Sequence, residues 1–442
     1  MRSRHAAPAW TNRPRTVEVG ANRDGRTGVI QGAGGLLAEP IQKEHVRSRK
    51  GNPAIVYAPL NLDDFRRIAR RRLPSVVFDT LDGGAGDEWA VRRNREAFAS
   101  VSFRPKSLVD VTKRSTATRL FGQETSLPVL LAPTGVGPII QRDAELAVAR
   151  AASRGEAIYV QSMLSACPLE EVASAAGGDT LWYQLYMPDT REETETLLGR
   201  VARAGYKALV ITVDMPIFGS RERDRRNELA LSAKLTPRLI WEGMSRPARS
   251  VEFIRANHPF SLRKRALRRL SPAIAQPAIA PTLWPVTSDD IRLVRQCWNG
   301  PLIVKGIMRS DECAQYLDLG IDGFVVSNHG GRQLDSLPGT FDILAEVVDA
   351  VAGHATVLLD GGIRRGEDVL KAIAMGASAV LVGRPYLFAL AAGGQAGVET
   401  MIDMLRVEID RAMALLGVCS LDELDRTFLN IAPRPTAAEA RR

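Results

Sequence analysis

Eight short apolar runs limit what this chain can fold into. They lie at residues 128–132, 157–161, 181–186, 208–213, 301–305, 323–327, 356–360 and 379–383. Continuous apolar runs of this length suit parallel strands buried on both faces. Most are followed by a segment of helical period, as at 143–152, 168–176, 192–204, 310–319 and 365–375. Strand-helix alternation with eight strands reads as an α/β chain forming a closed (β/α)8 TIM barrel, and a doubly wound open sheet is the alternative the pattern leaves.

Successive runs begin about 21 to 34 residues apart, except that the fourth and fifth are about 93 apart. A long insertion after strand 4, at about 222–298, therefore sits at the C-terminal mouth of the barrel, where barrel enzymes keep their active sites. It holds Arg263, Lys264, Arg265, Arg268 and Arg269, then a Pro-rich stretch from Pro272 to Pro285. Ahead of the strands, Asn61 is an N-cap candidate before Leu62, Phe65, Ile68 and Ala69, and Pro74 opens a second helix through Val77, Phe78 and Leu81. Residues 1–58 mix Arg, Gly, Pro and Asn without period, which predicts a disordered or mis-assigned extension before a barrel domain at 59–432.

The net charge of +9 is localised. Residues 1–52 carry net +6 and residues 221–269 net +9, which leaves −6 for the rest. Basicity thus belongs to two segments and not to the fold, which argues against a nucleic-acid partner. Cys167, Cys297, Cys313 and Cys419 form no CxxC pair, so neither a metal cage nor a disulfide framework is expected, and a reducing, cytoplasmic setting is the simpler reading. No apolar stretch is long enough to span a bilayer.

Polar residues at C-terminal strand ends are the functional candidates in a barrel. Here they are Thr134, Ser162, Gln184 with Tyr186, Thr212 with Asp214, Lys305, Ser327 with His329, Asp360 and Arg384. The run from Ser327 to Asp335, SNHGGRQLD, is the most specific, because it puts an imidazole and a guanidinium on one Gly-rich loop in a chain with only 5 histidines. His329 suits general-base work near neutral pH, and Arg332 can grip a carboxylate in a bidentate fork. Asp214 is placed to face His329 and stabilise its imidazolium, and Arg221 is a second clamp candidate. Asp360, Gly361, Gly362, Ile363 and Arg364, with Gly383 and Arg384, end strands seven and eight, where backbone N–H groups backed by Arg often hold a phosphate.

Together these residues resemble the FMN-dependent 2-hydroxy acid dehydrogenase and oxidase family, which includes glycolate oxidase, L-lactate dehydrogenase and mandelate dehydrogenase. The resemblance covers about 61–429 and rests on FRP at 103–105, APTG at 132–135, VKG at 304–306, SNHGGRQLD at 327–335 and DGGIRRG at 360–366. LVDV at 108–111 and RERD at 221–224 draw it toward the mandelate and lactate dehydrogenase branch. It implies FMN as cofactor, with Thr134, Ser162, Gln184 and Thr212 at the flavin ring or its ribityl side, Lys305 at the ring's N1–O2 edge, Ser327 lining the cofactor, and Asp360, Gly362, Arg364, Gly383 and Arg384 holding ribityl and phosphate groups. It also implies that Tyr186, Arg221, His329 and Arg332 hold a small 2-hydroxy acid while His329 removes the hydroxyl proton and the flavin takes the electrons.

Two positions depart from the family. Its Tyr-Asp-Tyr is Phe78-Asp79-Thr80 here, and Leu164 stands where glycolate oxidase has tryptophan. Losing the phenol removes a hydrogen bond to a charged group, worth about 1.5–3 kcal/mol. A larger substrate or weaker binding is expected. The resemblance further implies a homotetramer and an electron acceptor that is a quinone or oxygen. The basic insertion predicts peripheral contact with the inner face of an anionic membrane, against a solvated loop. A flavin barrel acting on a modified peptide or an isomerisation, and a phosphate-handling barrel without flavin, are the competing functional readings.

Overall fold

The computed structural model describes residues 58–177, 180–227, 241, 244 and 285–431. The expected extension at 1–58 and most of the insertion lie outside the described residues. Three helices come first: Leu62–Arg72, Ser75–Asp82 and Trp89–Ala99. The Asn61 side chain accepts from the Asp64 N–H at 2.9 Å, which satisfies one free donor of the first helix. Two acidic residues in its first turn and three arginines in its last complement the helix dipole.

Three short strands follow, β1 (Val101–Phe103), β2 (Thr118–Leu120) and β3 (Gln123–Thr125), and then the barrel strands. These are β4 (Val129–Leu131), β5 (Ile158–Ser162), β6 (Leu181–Leu185), β7 (Ala208–Thr212), β8 (Leu302–Ile307), β9 (Gly323–Val326), β10 (Thr356–Asp360) and β11 (Ala379–Val382). They close in the order β10-β11-β4-β5-β6-β7-β8-β9, every neighbour parallel. Because each of the eight pairs with two others, which leaves no edge strand, the open-sheet alternative is excluded. Between β7 and β8 lie the short helix Glu222–Arg226 and, just before β8, the helix Ser288–Cys297, which starts in a capping box made by Thr287 and Asp290 and packs on the helix Arg191–Arg203. The segment expected as insertion therefore ends in one of the barrel's own helices. After β11 the chain runs through Arg384–Leu416, broken by non-helical Gly393 and Gly394, and β12 (Leu429–Ile431) returns to pair antiparallel with β1.

Side-chain alternation along the strands decides what fills the barrel. Ile158 and Val160, Trp182, Ala208 and Val210, Ile303, Val325, Leu358, and Ala379 with Leu381 share one interior apolar cluster. Two residues further along, the same inward face reaches Ser162, Gln184, Thr212, Lys305, Ser327 and Asp360, all buried. The apolar layers are thus roofed by a polar one at the C-terminal end. The other end is stopped by the β2–β3 hairpin, whose Leu120 joins the interior cluster and whose Phe121 sits edge-on to Trp182 at 5.6 Å.

Trp182 is fully buried and donates from Nε1 to Gln123 Oε1 at 2.7 Å, which joins hairpin to barrel. Trp182→Ala is expected to cost about 3–5 kcal/mol of stability. Denaturant unfolding of the purified protein measures it, and a loss below about 1 kcal/mol would show that the plug is not part of the core.

Candidate active site

Lys305 is the charged member of the polar roof. Its Nζ donates to Ser327 Oγ at 2.8 Å and pairs with Asp360 Oδ2 at 2.9 Å. Burial disfavours its charge, but Asp360 and Asp214 outweigh burial and raise its pKa, so it stays protonated. Beside it, Ser162 Oγ donates to Gln184 Oε1 at 2.9 Å.

His329 begins the loop after β9 with a left-handed backbone, φ +56°, a costly conformation for a residue with a side chain. Several contacts enforce it. The His329 N–H donates to Ser327 Oγ, and the Asn328 amide exchanges two hydrogen bonds with Asn94, at 2.8 and 2.9 Å, from the helix Trp89–Ala99. Gln333 then ties this loop to the one after β7, donating to Asp214 O at 3.1 Å and Ile217 O at 2.8 Å and accepting from the Gly219 N–H. The two loops are thereby held together, and His329 Nδ1 lies 2.9 Å from Asp214 Oδ1.

With Asp214 as acceptor, Nδ1 carries the proton and Nε2 presents its lone pair. Burial pushes the His329 pKa below its ordinary value, and Asp214 opposes that shift without overcoming it. For Asp214, burial works against ionisation, yet His329 and Lys305 outweigh it and hold the carboxylate below its usual range. At neutral pH the pair is a neutral imidazole on a carboxylate, the state a base requires.

Helix Ser75–Asp82 positions the arginines. Its last carbonyls lack helical partners. Arg332 Nη1 donates to Thr80 O and Gly83 O, both at 2.9 Å, while Arg384 donates to Leu81 O at 3.1 Å, Gly330 O at 2.8 Å and Gly83 O at 2.7 Å. Arg221 lies 5.3 Å from the Phe218 ring centroid and reaches Arg332 O at 3.4 Å. Burial, reinforced by neighbouring guanidiniums, pushes Arg221 and Arg384 each down to about 9 and Arg364 to about 10. All remain charged at neutral pH. A cluster of buried cations short of counter-charge is a site for anions.

A cavity of about 770 Å³ opens on these groups, within the range of cofactor sites. Thr134, Ser162, Tyr186, Arg221, Lys305, His329, Arg332, Asp360, Gly362, Arg364, Gly383 and Arg384 line it. Gln184, Thr212, Asp214 and Ser327 do not reach its wall. Of these, Gln184, Asp214 and Ser327 hydrogen-bond residues that do. Tyr186 donates to Met215 Sδ at 3.4 Å, and burial pushes its phenol pKa well up, so it stays a donor. Asn94, Met215, Ile217 and Phe218 escaped the sequence reading, because they sit on a helix outside the barrel or on loops without period, and Gln333, though inside the SNHGGRQLD run, was given no role.

The donor set fits FMN. Gln184 Nε2 and Asp360 Oδ1 are buried without a hydrogen-bond partner among the described residues, the latter on the carboxylate that pairs with the Lys305 ammonium, which suits a ring bearing carbonyl and N–H groups. Arg364 and Arg384 flank Gly362, whose φ of +84° and 2.0 Å approach of a would-be Cβ to Asn94 O admit only glycine.

Residues 69–431 match the family of FMN-dependent dehydrogenases. The chain is 41% identical over 381 residues to L-lactate oxidase of Nostoc sp. (strain PCC 7120), covering 85% of this chain and 99% of that one. It is 36% identical over 374 residues to (S)-mandelate dehydrogenase of Pseudomonas putida, covering 84% and 93%. Among solved structures, the monotopic membrane protein (S)-mandelate dehydrogenase superposes with a TM-score of 0.77 at 34% identity, covering 85% of this chain and all of that one (100%).

Arg364 and Arg384 are the arginines expected at the phosphate, and Arg364→Ala or Arg384→Ala is expected to weaken FMN retention about 10–100-fold, the value of one charge-assisted hydrogen bond. The flavin-to-protein absorbance ratio after dialysis reads it, and full retention in both variants would remove these residues from the phosphate site.

Proposed function

The chain belongs to the family of FMN-dependent dehydrogenases and oxidises a 2-hydroxy acid to the 2-oxo acid, and we propose that His329 is the base of that reaction. The observation that carries this reading is the 2.9 Å contact of His329 Nδ1 with Asp214 on a cavity that Arg221 and Arg332 also line. FMN, when bound, supplies the two-electron acceptor. Thr134, Ser162, Gln184, Thr212, Lys305 and Ser327 would hold its ring and ribityl side, and Asp360, Gly362, Arg364, Gly383 and Arg384 the ribityl and phosphate.

Arg221 and Arg332 fix the substrate carboxylate, with the Tyr186 phenol as a third donor. His329 Nε2 then takes the hydroxyl proton. Asp214 keeps the ring in the required tautomer and stabilises the imidazolium. Thr80 and Leu164, both on the cavity wall in place of aromatic residues, leave room for a side chain larger than that of lactate, and we assign an L-2-hydroxy acid with an aromatic or branched side chain, mandelate-like rather than glycolate-like.

His329 must be neutral to act, and burial holds its pKa below the ordinary imidazole value. The value of kcat/KM is therefore expected to rise with pH along a limb below about 6.5 and to level through neutrality. Asp214→Asn removes the group that holds the pKa up, so the limb moves lower still, and kcat falls about 10²–10⁴-fold. His329→Gln abolishes anaerobic bleaching of the flavin by mandelate and longer 2-hydroxy acids. Unimpaired bleaching in His329→Gln would sink the assignment.

For the acceptor we propose a quinone or similar carrier at the inner face of a membrane, approached through the basic segment. The solved relative described as a monotopic membrane protein supports this. Among the described residues no helix is long and apolar enough to cross a membrane. The oxidase relative favours a second reading, direct use of oxygen. The assembly we propose is a homotetramer. Intact protein is expected to sediment with anionic vesicles, to lose that on deletion of 255–285, to form little peroxide, and to scatter light as four 48.2 kDa chains. Equal pelleting after the deletion contradicts the membrane reading, stoichiometric peroxide the quinone, and a smaller mass the tetramer.

A further inference from the structure

Thr80 does not replace the phenol it displaces. Its hydroxyl has one proton and two acceptors in reach, Val76 O at 3.1 Å and Asp224 Oδ1 at 2.8 Å. The carboxylate is nearer and charged, so it takes the proton. Asp224 in turn is held in place by its neighbours on Glu222–Arg226 and the residue after it. Arg223 pairs with Asp82 at 3.3 Å and with Glu88, and Asn227 Nδ2 donates to Asp79 Oδ2 at 2.8 Å. The carboxylate of Asp224 thus lines the same cavity as Arg221 and Arg332, with Arg225 at the exposed rim.

We propose that Asp224, oriented by Thr80, is a specificity-determining counter-charge that cancels one of the two guanidinium charges of Arg221 and Arg332 and restricts the site to 2-hydroxy acids with a single carboxylate. The inference rests on the reading of Arg221 and Arg332 as the carboxylate clamp. Two guanidiniums alone would present +2 and welcome a dicarboxylate. With Asp224 the clamp carries net +1, which one carboxylate neutralises, and a second carboxylate meets both a spent clamp and a fixed anion. In keeping with this, burial lowers the Arg332 pKa and Asp224 is the foremost group opposing that loss of charge. The phenol of the family pattern is a neutral donor, so a chain that keeps it can grip a carboxylate by hydrogen bonding where this one relies on charge.

Dissociation constants of a 2-oxo monocarboxylate, 2-oxobutanoate, and a 2-oxo dicarboxylate, 2-oxoglutarate, measured from perturbation of the flavin absorbance of the holoenzyme, test it without turnover. Wild type is expected to favour the monocarboxylate. In Asp224→Asn, which can still accept from Thr80, the ratio of dicarboxylate to monocarboxylate dissociation constants falls about tenfold and both ligands bind more tightly. Asp224→Glu keeps the charge and holds the ratio near wild type, and Asp224→Ser serves the same comparison if the Asn variant loses flavin. A ratio unchanged in the neutral variants overturns the proposal. Failure of the clamp reading looks different: Arg332→Met would then leave both dissociation constants where they were.

Discussion

Everything at this site hangs on the last turn of one helix that is not part of the barrel. The carbonyls of Thr80, Leu81 and Gly83, at and just beyond the end of Ser75–Asp82, have no helical partners and carry the negative end of the helix dipole. They accept four hydrogen bonds from Arg332 and Arg384, and Arg384 makes a further one to Gly330 O on the His329 loop. A guanidinium held by neutral carbonyls keeps its full positive charge available to a ligand, whereas one paired to a carboxylate would already be satisfied. The N-terminal helices are therefore part of the active site, and the barrel alone would present these arginines unfixed.

Inside the barrel the same logic runs through alternation. A strand that sends Ile303 into the apolar layer must send Lys305 inward too, one step higher. An ammonium there would be very costly alone. Asp360 on the neighbouring inward position and Ser327 between them make it tolerable, and removing one member of such a pair would cost about 3–5 kcal/mol. The strand ends are thus both functional and mutually dependent, since Lys305, Asp360, Asp214 and His329 each set the charge state of another.

That alternation is why so much was legible in the sequence. The apolar runs mark where each strand ends, and a polar residue at such an end stands out, so Ser162, Lys305, His329 and Asp360 could be picked out by position and chemistry; the inward parity seen in the structure is why they face the cavity. What escaped depends on contacts distant in sequence. Nothing in Asn94 announces that it pairs with Asn328 and crowds Gly362, and Gln333 gains its meaning only when the loops after β7 and β9 meet. The hairpin plug was missed because strands of three residues leave no periodic signal. Thr212 was picked as a polar residue at a strand end, and it is buried, yet it stops below the cavity wall.

The arginines carry the argument one step further. Arg221, Arg332, Arg364 and Arg384 crowd one cavity, and burial together with their mutual repulsion lowers the pKa of Arg221 and Arg384 to about 9. A fold selected for stability alone would not gather them. Their cost is offset only in part by Asp224 and by the helix carbonyls, which leaves the cavity with positive charge that a bound anion would neutralise. Arg384 and Arg332 both donate to Gly83 O, and Arg384 also reaches Gly330 O on the loop that carries Arg332. One stretch of backbone thus fixes both guanidiniums, and the loop that carries His329 is tied to it through Arg384.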